Sequence, residues 1–269
     1  MKISIITVVL NNEATIEDSI KSVACQTFQD IEHIVVDGGS KDRTLGIISR
    51  HRDKISVLLS EPDMGMYDAL NKGIRLASGD VIGVLNSDDV FSSDTVLERV
   101  MRVFTGGSCD AVYGDLVFVN RDLSRIIRCW KAGTFSANSF GLGWTPPHPA
   151  FFLKKSCYEK YGMYAQGFHL AADYELLLRL LMKEKISAQY LPETLVLMRA
   201  GGKSRISFSN TFLRISEITR AWKSNDRKVG MHTILLKFLR SALQFYALIL
   251  PDGPAPRLPS DCHASKIRR

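Results

Sequence analysis

The sequence predicts an α/β protein: a mostly parallel, doubly wound sheet with helices on both faces, followed by a C-terminal helical appendage. Three observations lead there. Short apolar runs alternate with segments whose apolar residues recur at helical spacing through the first half of the chain. The residues that close the first, second and fourth runs are polar and often acidic, and the crevice beyond the carboxyl ends of such strands is where an open parallel sheet binds ligands. Near residue 105 the alternation gives way to longer strands around a turn.

The elements follow in order. Ile3–Val9 is a continuous apolar run, as expected for a strand buried on both faces. It passes Thr7 and Val9 and leads to Asn11. Ile16, Ile20, Val23 and Ala24 mark a helix. Ile31–Val36 is a second buried strand, closed by Asp37-Gly38-Gly39 and Ser40, and a short helix from about Arg43 to His51 follows with Asp42 as its cap. Ile55–Leu59 reads as the third strand. Tyr67, Leu70, Ile74 and Ala77 mark a helix that also carries Asn71. Val81–Leu85 is the fourth strand, ending in Asn86-Ser87-Asp88-Asp89. Beyond residue 105, Ala111–Val119 and Ser124–Trp130 form an antiparallel pair around Asn120-Arg121-Asp122. The proline-bearing stretch 145–153 runs into a strand. Ala172–Lys183 is a strongly apolar helix, a strand lies near Leu195, and Ser209–Lys223 is a further helix. The four prolines within 251–259 predict an irregular tail.

Composition excludes several classes. A chain of 269 residues with 45% hydrophobic content builds a sizeable core. The net charge of +7 is concentrated toward the end, from Arg199 and Arg214 through Lys237 and Arg240 to Lys266, Arg268 and Arg269. That skew suits an anionic membrane surface better than a nucleic-acid groove. The five cysteines, Cys25, Cys109, Cys129, Cys157 and Cys262, are scattered with no C-x-x-C spacing, which argues against a disulfide framework or a zinc site and for a reducing, cytoplasmic setting. The short run Ile3–Leu10 leads into Asn11-Asn12-Glu13 with no small-residue cleavage site, so it does not read as a signal peptide. The turn after the first strand lacks G-x-G-x-x-G and the chain lacks G-x-x-x-x-G-K-[ST]; neither a dinucleotide dehydrogenase nor a P-loop ATPase fits.

Five segments in order carry a resemblance: Ser4-Ile5-Ile6-Thr7-Val8-Val9-Leu10-Asn11-Asn12, Val35 through Thr44, Ser60-Glu61-Pro62-Asp63-Met64-Gly65-Met66-Tyr67 through Ile74, Gly79-Asp80 through Asp89, and Ala171-Ala172-Asp173-Tyr174-Glu175-Leu176. With them the chain resembles the family 2 glycosyltransferases of GT-A fold, and its third segment is similar to exopolysaccharide and colanic-acid-type transferases. The resemblance implies a GT-A catalytic domain over residues 1–205, with a nucleotide-sugar half to 105 and an acceptor half from 106, then C-terminal helices at 206–250 and a tail at 251–269. It implies an inverting transfer of sugar from a nucleotide-diphosphate sugar, UDP-linked by preference or GDP-linked, to a hydroxyl of a saccharide or lipid-linked saccharide. Alternatives from other classes are a nucleotidyltransferase, which would carry a Gly-rich basic loop after the first strand, and a non-catalytic sugar-nucleotide-binding protein.

The same resemblance assigns roles. Asp37 would accept a ring N–H of the base, or instead only shape the turn beside Gly38. Asp88 would hold Mg²⁺ or Mn²⁺ with Asp89 in support, because a leaving nucleoside diphosphate needs its charge neutralised by a hard cation on oxygen ligands. Asn86 stands where the family commonly has an Asp; its amide can bond ribose but brings no charge. Thr7, Val9, Asn11, Gly38, Ser40, Asn71 and Ser87 complete the donor side. Arg199 and Ser204, around Gly201-Gly202, resemble a loop that closes over donor phosphates. Asp173 would be the general base, or a first-turn carboxylate that serves the helix dipole. His148 would touch the diphosphate or the metal, or be structural. Trp130 and Trp144 would stack on sugar or belong to the core.

Met231–Leu250 is mostly apolar and long enough to span a bilayer. Lys237 and Arg240 stand in its middle, and a charge at the bilayer centre costs about 2.5–3.5 kcal/mol. Thr233, Lys237, Arg240, Ser241 and Gln244 fall on one side of a helix, with Leu235, Phe238, Leu239, Phe245 and Leu248 over the rest. Two arrangements follow: a helix lying in the inner face of the membrane with its cations near anionic headgroups, or one whose apolar face packs on the catalytic domain.

Overall fold

The computed structural model describes residues 1–201 and 208–246. Gly202, Ser204, residues 247–250 and the tail at 251–269 lie outside the described residues.

The first half alternates strand and helix: β1 (Ile3–Val9), α1 (Ile16–Ala24), β2 (Ile31–Asp37), α2 (Thr44–Arg50), β3 (Val57–Ser60), α3 (Met66–Leu76) and β4 (Val81–Val84). The four strands are parallel in the order β3-β2-β1-β4, with β1 and β2 in register from Ile3 opposite Ile31 to Val9 opposite Asp37. β1 is buried along its whole length because helices cover both faces. Ile6 and Val8 pack with Ile34, Val36 and α3, whereas Ile3 and Ile5 pack on the other side with Val81 and Leu85. This accounts for the unbroken apolar run, which an alternating, half-solvated strand would lack.

Beyond β4 the sheet differs from the mostly parallel expectation. It continues as β8 (Phe151–Lys154), β6 (Ala111–Val119), β9 (Ala188–Arg199) and β5 (Val90–Phe91), with β7 (Ile126–Trp130) also on β6. The β4–β8, β8–β6, β6–β7 and β9–β5 pairs are antiparallel and only β6–β9 is parallel. β6 and β7 are joined by a short turn, and a parallel return needs a crossover of about a dozen residues or more. Two helices complete this half: α4 (Val96–Gly106), whose Val96, Leu97, Val100, Met101 and Phe104 bury one face, and α5 (Lys155–Tyr161). The helix expected over 172–183 is α6 (Ala172–Leu178) running into a π turn at Arg179–Lys183.

The C-terminal helices α7 (Phe208–Ser224) and α8 (Met231–Tyr246) fold back onto the domain. The Glu217 carboxylate accepts the main-chain N–H of His169 and Leu170, each at 2.8 Å, and Ile218, Ala221 and Trp222 enter the main core. α8 is turned opposite to the arrangement in which its apolar face packs on the catalytic domain, and it differs from the membrane arrangement in setting Lys237 and Arg240 against the domain. Its polar stripe faces inward: Thr233 Oγ1 donates to the Gly141 carbonyl at 2.8 Å and Arg240 Nε to that of Leu142 at 2.9 Å. Gly143 has φ +73°, and a Cβ there would stand 2.4 Å from the Lys237 nitrogen, so the helix backbone rests directly on this glycine. The apolar side faces out, with Met231 80%, Leu235 68%, Leu243 55% and Leu239 51% exposed.

One buried network predicts acid sensitivity. Glu32 is buried, which opposes its ionisation, yet donations from the Ser4 and Ser78 hydroxyls, the Ser78 N–H and Lys2 outweigh this and hold its pKa at about 2. The folded value lies below the usual glutamate value of about 4.3. The stabilisation is therefore complete above that value and is lost as pH falls toward 2. Urea midpoints measured between pH 5 and about 2.5 should fall less steeply for Glu32→Gln than for wild type; parallel curves would refute the assignment.

Candidate active site

The loops that leave the parallel strands are stitched to one another at the carboxyl edge of the sheet. Asn11, at φ +50°, donates its N–H to Ser40 Oγ at 2.8 Å and accepts from the Lys41 N–H at 2.8 Å. Asn12 Nδ2 reaches Ser87 Oγ at 2.9 Å and its N–H reaches Thr44 Oγ1 at 2.9 Å. The loops after β1, β2 and β4 thus form one hydrogen-bonded surface. Arg43, not Asp42, stands at the N-cap of α2, and Asp42 one residue earlier accepts from the Thr44 N–H at 2.9 Å.

Asp37 closes β2 and is fully buried. Its carboxylate accepts from Gly39 N at 3.1 Å, Ser40 N at 3.1 Å and Ser60 Oγ at 2.8 Å, so in this state it shapes its own turn. Gly38 donates its N–H to the Val9 carbonyl at 2.9 Å, and a Cβ there would come within 2.3 Å of Asp63 Oδ2. Val9 contributes to this edge through its main chain, since its side chain lies in the core. Thr7 is buried within β1 and shares a hydrogen bond with His33 at 3.1 Å. Asn71 is also buried: its amide clasps the main chain of Tyr164 by two bonds of 2.9 and 3.0 Å, so it orders another residue of the site.

The loop after β4 holds the acidic pair. Asp89 is fully buried, accepting from Asn86 Nδ2 at 2.9 Å and from the Arg199 N–H at 3.3 Å. Burial first, and then the charge of Asp88, raise its pKa well above the usual carboxylate range. Asp88 is only partly buried. Arg199, at the end of β9, is 5% exposed and fully engaged: Nη1 donates to the Asp88 carbonyl at 2.8 Å, Nε to the Arg121 carbonyl at 2.9 Å, and Nη2 pairs with Asp18. Arg199 therefore acts as a strut under Asp88. Ser204, expected beside it, lies outside the described residues.

A second cluster surrounds Asp173 in the first turn of α6. The Tyr67 hydroxyl donates to Asp173 Oδ1 at 3.1 Å. Burial and then the charge of Asp173 push the Tyr67 pKa up, so the phenol keeps its proton. The Tyr67 and Tyr164 rings stack with centroids 5.7 Å apart, and the Tyr164 hydroxyl shares a short hydrogen bond with His148 Nε2. Burial lowers the His148 pKa although Asp173 opposes this, which keeps the imidazole neutral at physiological pH. His148 is thus grouped with Asp173. Trp144 is core: its Nε1 bonds the Ala132 carbonyl and its ring packs edge-on to Tyr113 and Phe140. Sequence reading of Tyr67 as a helix core position missed its bond to Asp173, and Tyr164 carried no local signal at all.

A divalent cation must be tested against these residues. Among the described residues no group of three or more His, Cys, Asp or Glu side chains could hold one. Asp88 offers one carboxylate, and Asp89 is spent on internal bonds. Mg²⁺ is ordinarily bound through one or two carboxylates with waters and substrate phosphates. The residues fit a cation that arrives with a diphosphate and do not form a closed protein cage.

Comparison with known proteins bears on the same edge. A sequence model of Glycosyl transferase family 2 matches residues 4–172. An uncharacterized glycosyltransferase of Mycobacterium tuberculosis is 36% identical over 180 residues, 66% of this chain and 68% of the relative. A PGL/p-HBAD biosynthesis glycosyltransferase of Mycobacterium bovis is 28% identical over 192 residues, 70% of this chain and 73% of the relative. Among solved structures, the mannosyltransferase PcManGT of Pyrobaculum calidifontis, in complex with GDP-Man and Mn²⁺, superposes with a TM-score of 0.64 at 16% identity, covering 99% of this chain and 78% of the other. Staphylococcus aureus TarS 1–349 with UDP gives 0.63 at 17% identity, covering 88% and 70%. The sheet, the strand-end loops and these matches together make the chain a member of glycosyl transferase family 2 with the GT-A fold.

Proposed function

We propose that this glycosyltransferase inverts the anomeric configuration, moving a sugar from a UDP- or GDP-sugar to an acceptor hydroxyl in a single in-line displacement, in surface or exopolysaccharide synthesis. The observation that carries the reading is the placement of Asp173, a half-buried carboxylate on a helix end, held by Tyr67 and backed by neutral His148. Accepting the proton of the attacking hydroxyl is the role its setting favours. Asp37, Asn11, Gly38 and Ser40 line the base side of the donor site, while Arg199 holds the Asp88 loop where the diphosphate would lie. Asp88 would hold Mg²⁺ or Mn²⁺, which supplies positive charge to the departing diphosphate. The UDP and GDP-Man complexes of the structural relatives support the donor class. A screen of UDP- and GDP-sugars for donor hydrolysis, with and without Mn²⁺, tests the reading; no hydrolysis of any nucleotide sugar in either condition would count against it.

The outward face of α8 supports a peripheral membrane site for the enzyme. No described helix is long and apolar enough to cross a membrane. Leu235, Leu239 and Leu243 are nonetheless exposed on α8, and Lys223, Arg227 and Lys228 in the segment that leads into it are exposed as well, a composition that suits an anionic lipid surface. Lys237 and Arg240 have no part in this contact, since they face the domain. Full-length protein should co-sediment with anionic vesicles at low salt, and the double substitution Leu235→Glu, Leu239→Glu should weaken binding at least about tenfold, each buried leucine being worth about 1.5–3 kcal/mol. Equal sedimentation of both proteins would refute it.

A further inference from the structure

Lys237 lies on α8, a helix outside the region matched by the family model. Its Nζ donates to Thr145 Oγ1 at 3.3 Å and stands 4.7 Å from the ring centroid of Tyr174, the residue after Asp173. Both sides of this contact are fixed. Tyr174 is held by Trp222 Nε1, which donates to its hydroxyl at 2.8 Å, and α8 is pinned to the 141–145 segment through Thr233, Arg240 and the bare backbone of Gly143.

Among the described residues no carboxylate forms an ion pair with Lys237. The charges that act on it are Asp173, which attracts it, and Arg214 of α7, which repels it. Burial pulls its pKa down to about 8, so the group remains largely charged at neutral pH. An ammonium has three donors, and Thr145 takes one. A half-buried cation with no carboxylate paired to it and donors to spare is stabilised when an anion joins it. In a single in-line displacement the attacking hydroxyl and the leaving diphosphate lie on opposite sides of the anomeric carbon. A cation next to the base is therefore on the attacking side.

We propose that Lys237 forms an oxyanion subsite for the acceptor, which carries a phosphate or a carboxylate close to the hydroxyl that receives the sugar. This rests on the reading of Asp173 as the base. Lys237 is then a specificity-determining residue supplied by the C-terminal helices.

Competitive acylation of the full chain with a limiting amine reagent, read by peptide mass spectrometry, reports the accessibility of Lys237 against exposed Lys223. Glycerol phosphate and glucuronate serve as the two probes. Saturating concentrations of at least one should slow acylation at Lys237 and leave Lys223 unchanged; which one protects identifies the anion. The protection should persist with UDP and Mn²⁺ present. Absence of protection by either probe overturns the proposal. So does protection given by UDP with Mn²⁺ to which neither probe adds, since the ammonium would then serve the donor diphosphate. Nothing in the measurement depends on turnover. Failure here leaves the base assignment intact, and a fully active Asp173→Asn enzyme would sink the base assignment whatever the labelling of the wild-type chain shows.

Discussion

Asp88→Ala is expected to lower sugar transfer by about 10³-fold or more, because charge stabilisation by a bound cation is worth several kcal/mol and each 1.36 kcal/mol is tenfold in rate. The fold should survive. Arg199 grips the main-chain carbonyl of Asp88, which alanine retains, and its other bonds go to Asp18 and Arg121. The substitution also removes the second cause of the raised Asp89 pKa, yet the buried Asp89 carboxylate remains committed to Asn86 and Arg199 and cannot substitute for its neighbour. Thermal melting together with donor turnover in Mn²⁺ separates the two effects. Wild-type turnover by the variant, or full activity of the wild type in excess EDTA, would defeat the metal reading.

The second large effect is at Asp173. Asp173→Asn preserves shape and leaves an amide oxygen to accept from Tyr67, but it cannot take a proton. General base catalysis contributes about 10²–10⁴-fold, so kcat for transfer should fall by that order while KM for the donor changes little. Tyr67→Phe is the control on the mechanism, since it removes the hydrogen bond at 3.1 Å and leaves the carboxylate. Near wild-type turnover of Asp173→Asn at saturating acceptor would place the base elsewhere.

The parallel half of the sheet was legible because its strands are short, buried on both faces and separated by helices whose apolar residues keep a regular spacing. The strand-end loops were legible for the same reason: Asp37 and Asp88 stand where each apolar run stops. In the second half the antiparallel β6–β7 pair was legible from its short turn, but the other strand partners were not, since local periodicity shows that a segment is extended and says nothing of which distant neighbour it pairs with. α4 carries its helical spacing in Val96, Val100 and Phe104. The Asp173 cluster joins residues 67, 148, 164 and 173, and only the completed fold brings them together. Arg199 was legible as a cation near the donor loops, but its commitment to the carbonyl of Asp88 depends on where β9 ends. α8 shows the limit most clearly. Its two faces could be drawn from spacing alone, yet which one turns inward was decided by two carbonyls and a glycine in a segment about ninety residues away.

The seat of α8 on Gly143 also bears on how this enzyme can be recombined with its relatives. In the simplest scheme, specificity travels with a C-terminal cassette that is cut near α7 and grafted onto another catalytic core. The contact forbids so simple an exchange. A recipient with any side chain at the position of Gly143 would lift the incoming helix off its seat and withdraw Lys237 from Asp173. The natural unit of transplantation is discontinuous, pairing residues 141–145 with 208–246, and chimeras designed along that boundary are the ones that keep the helix in register.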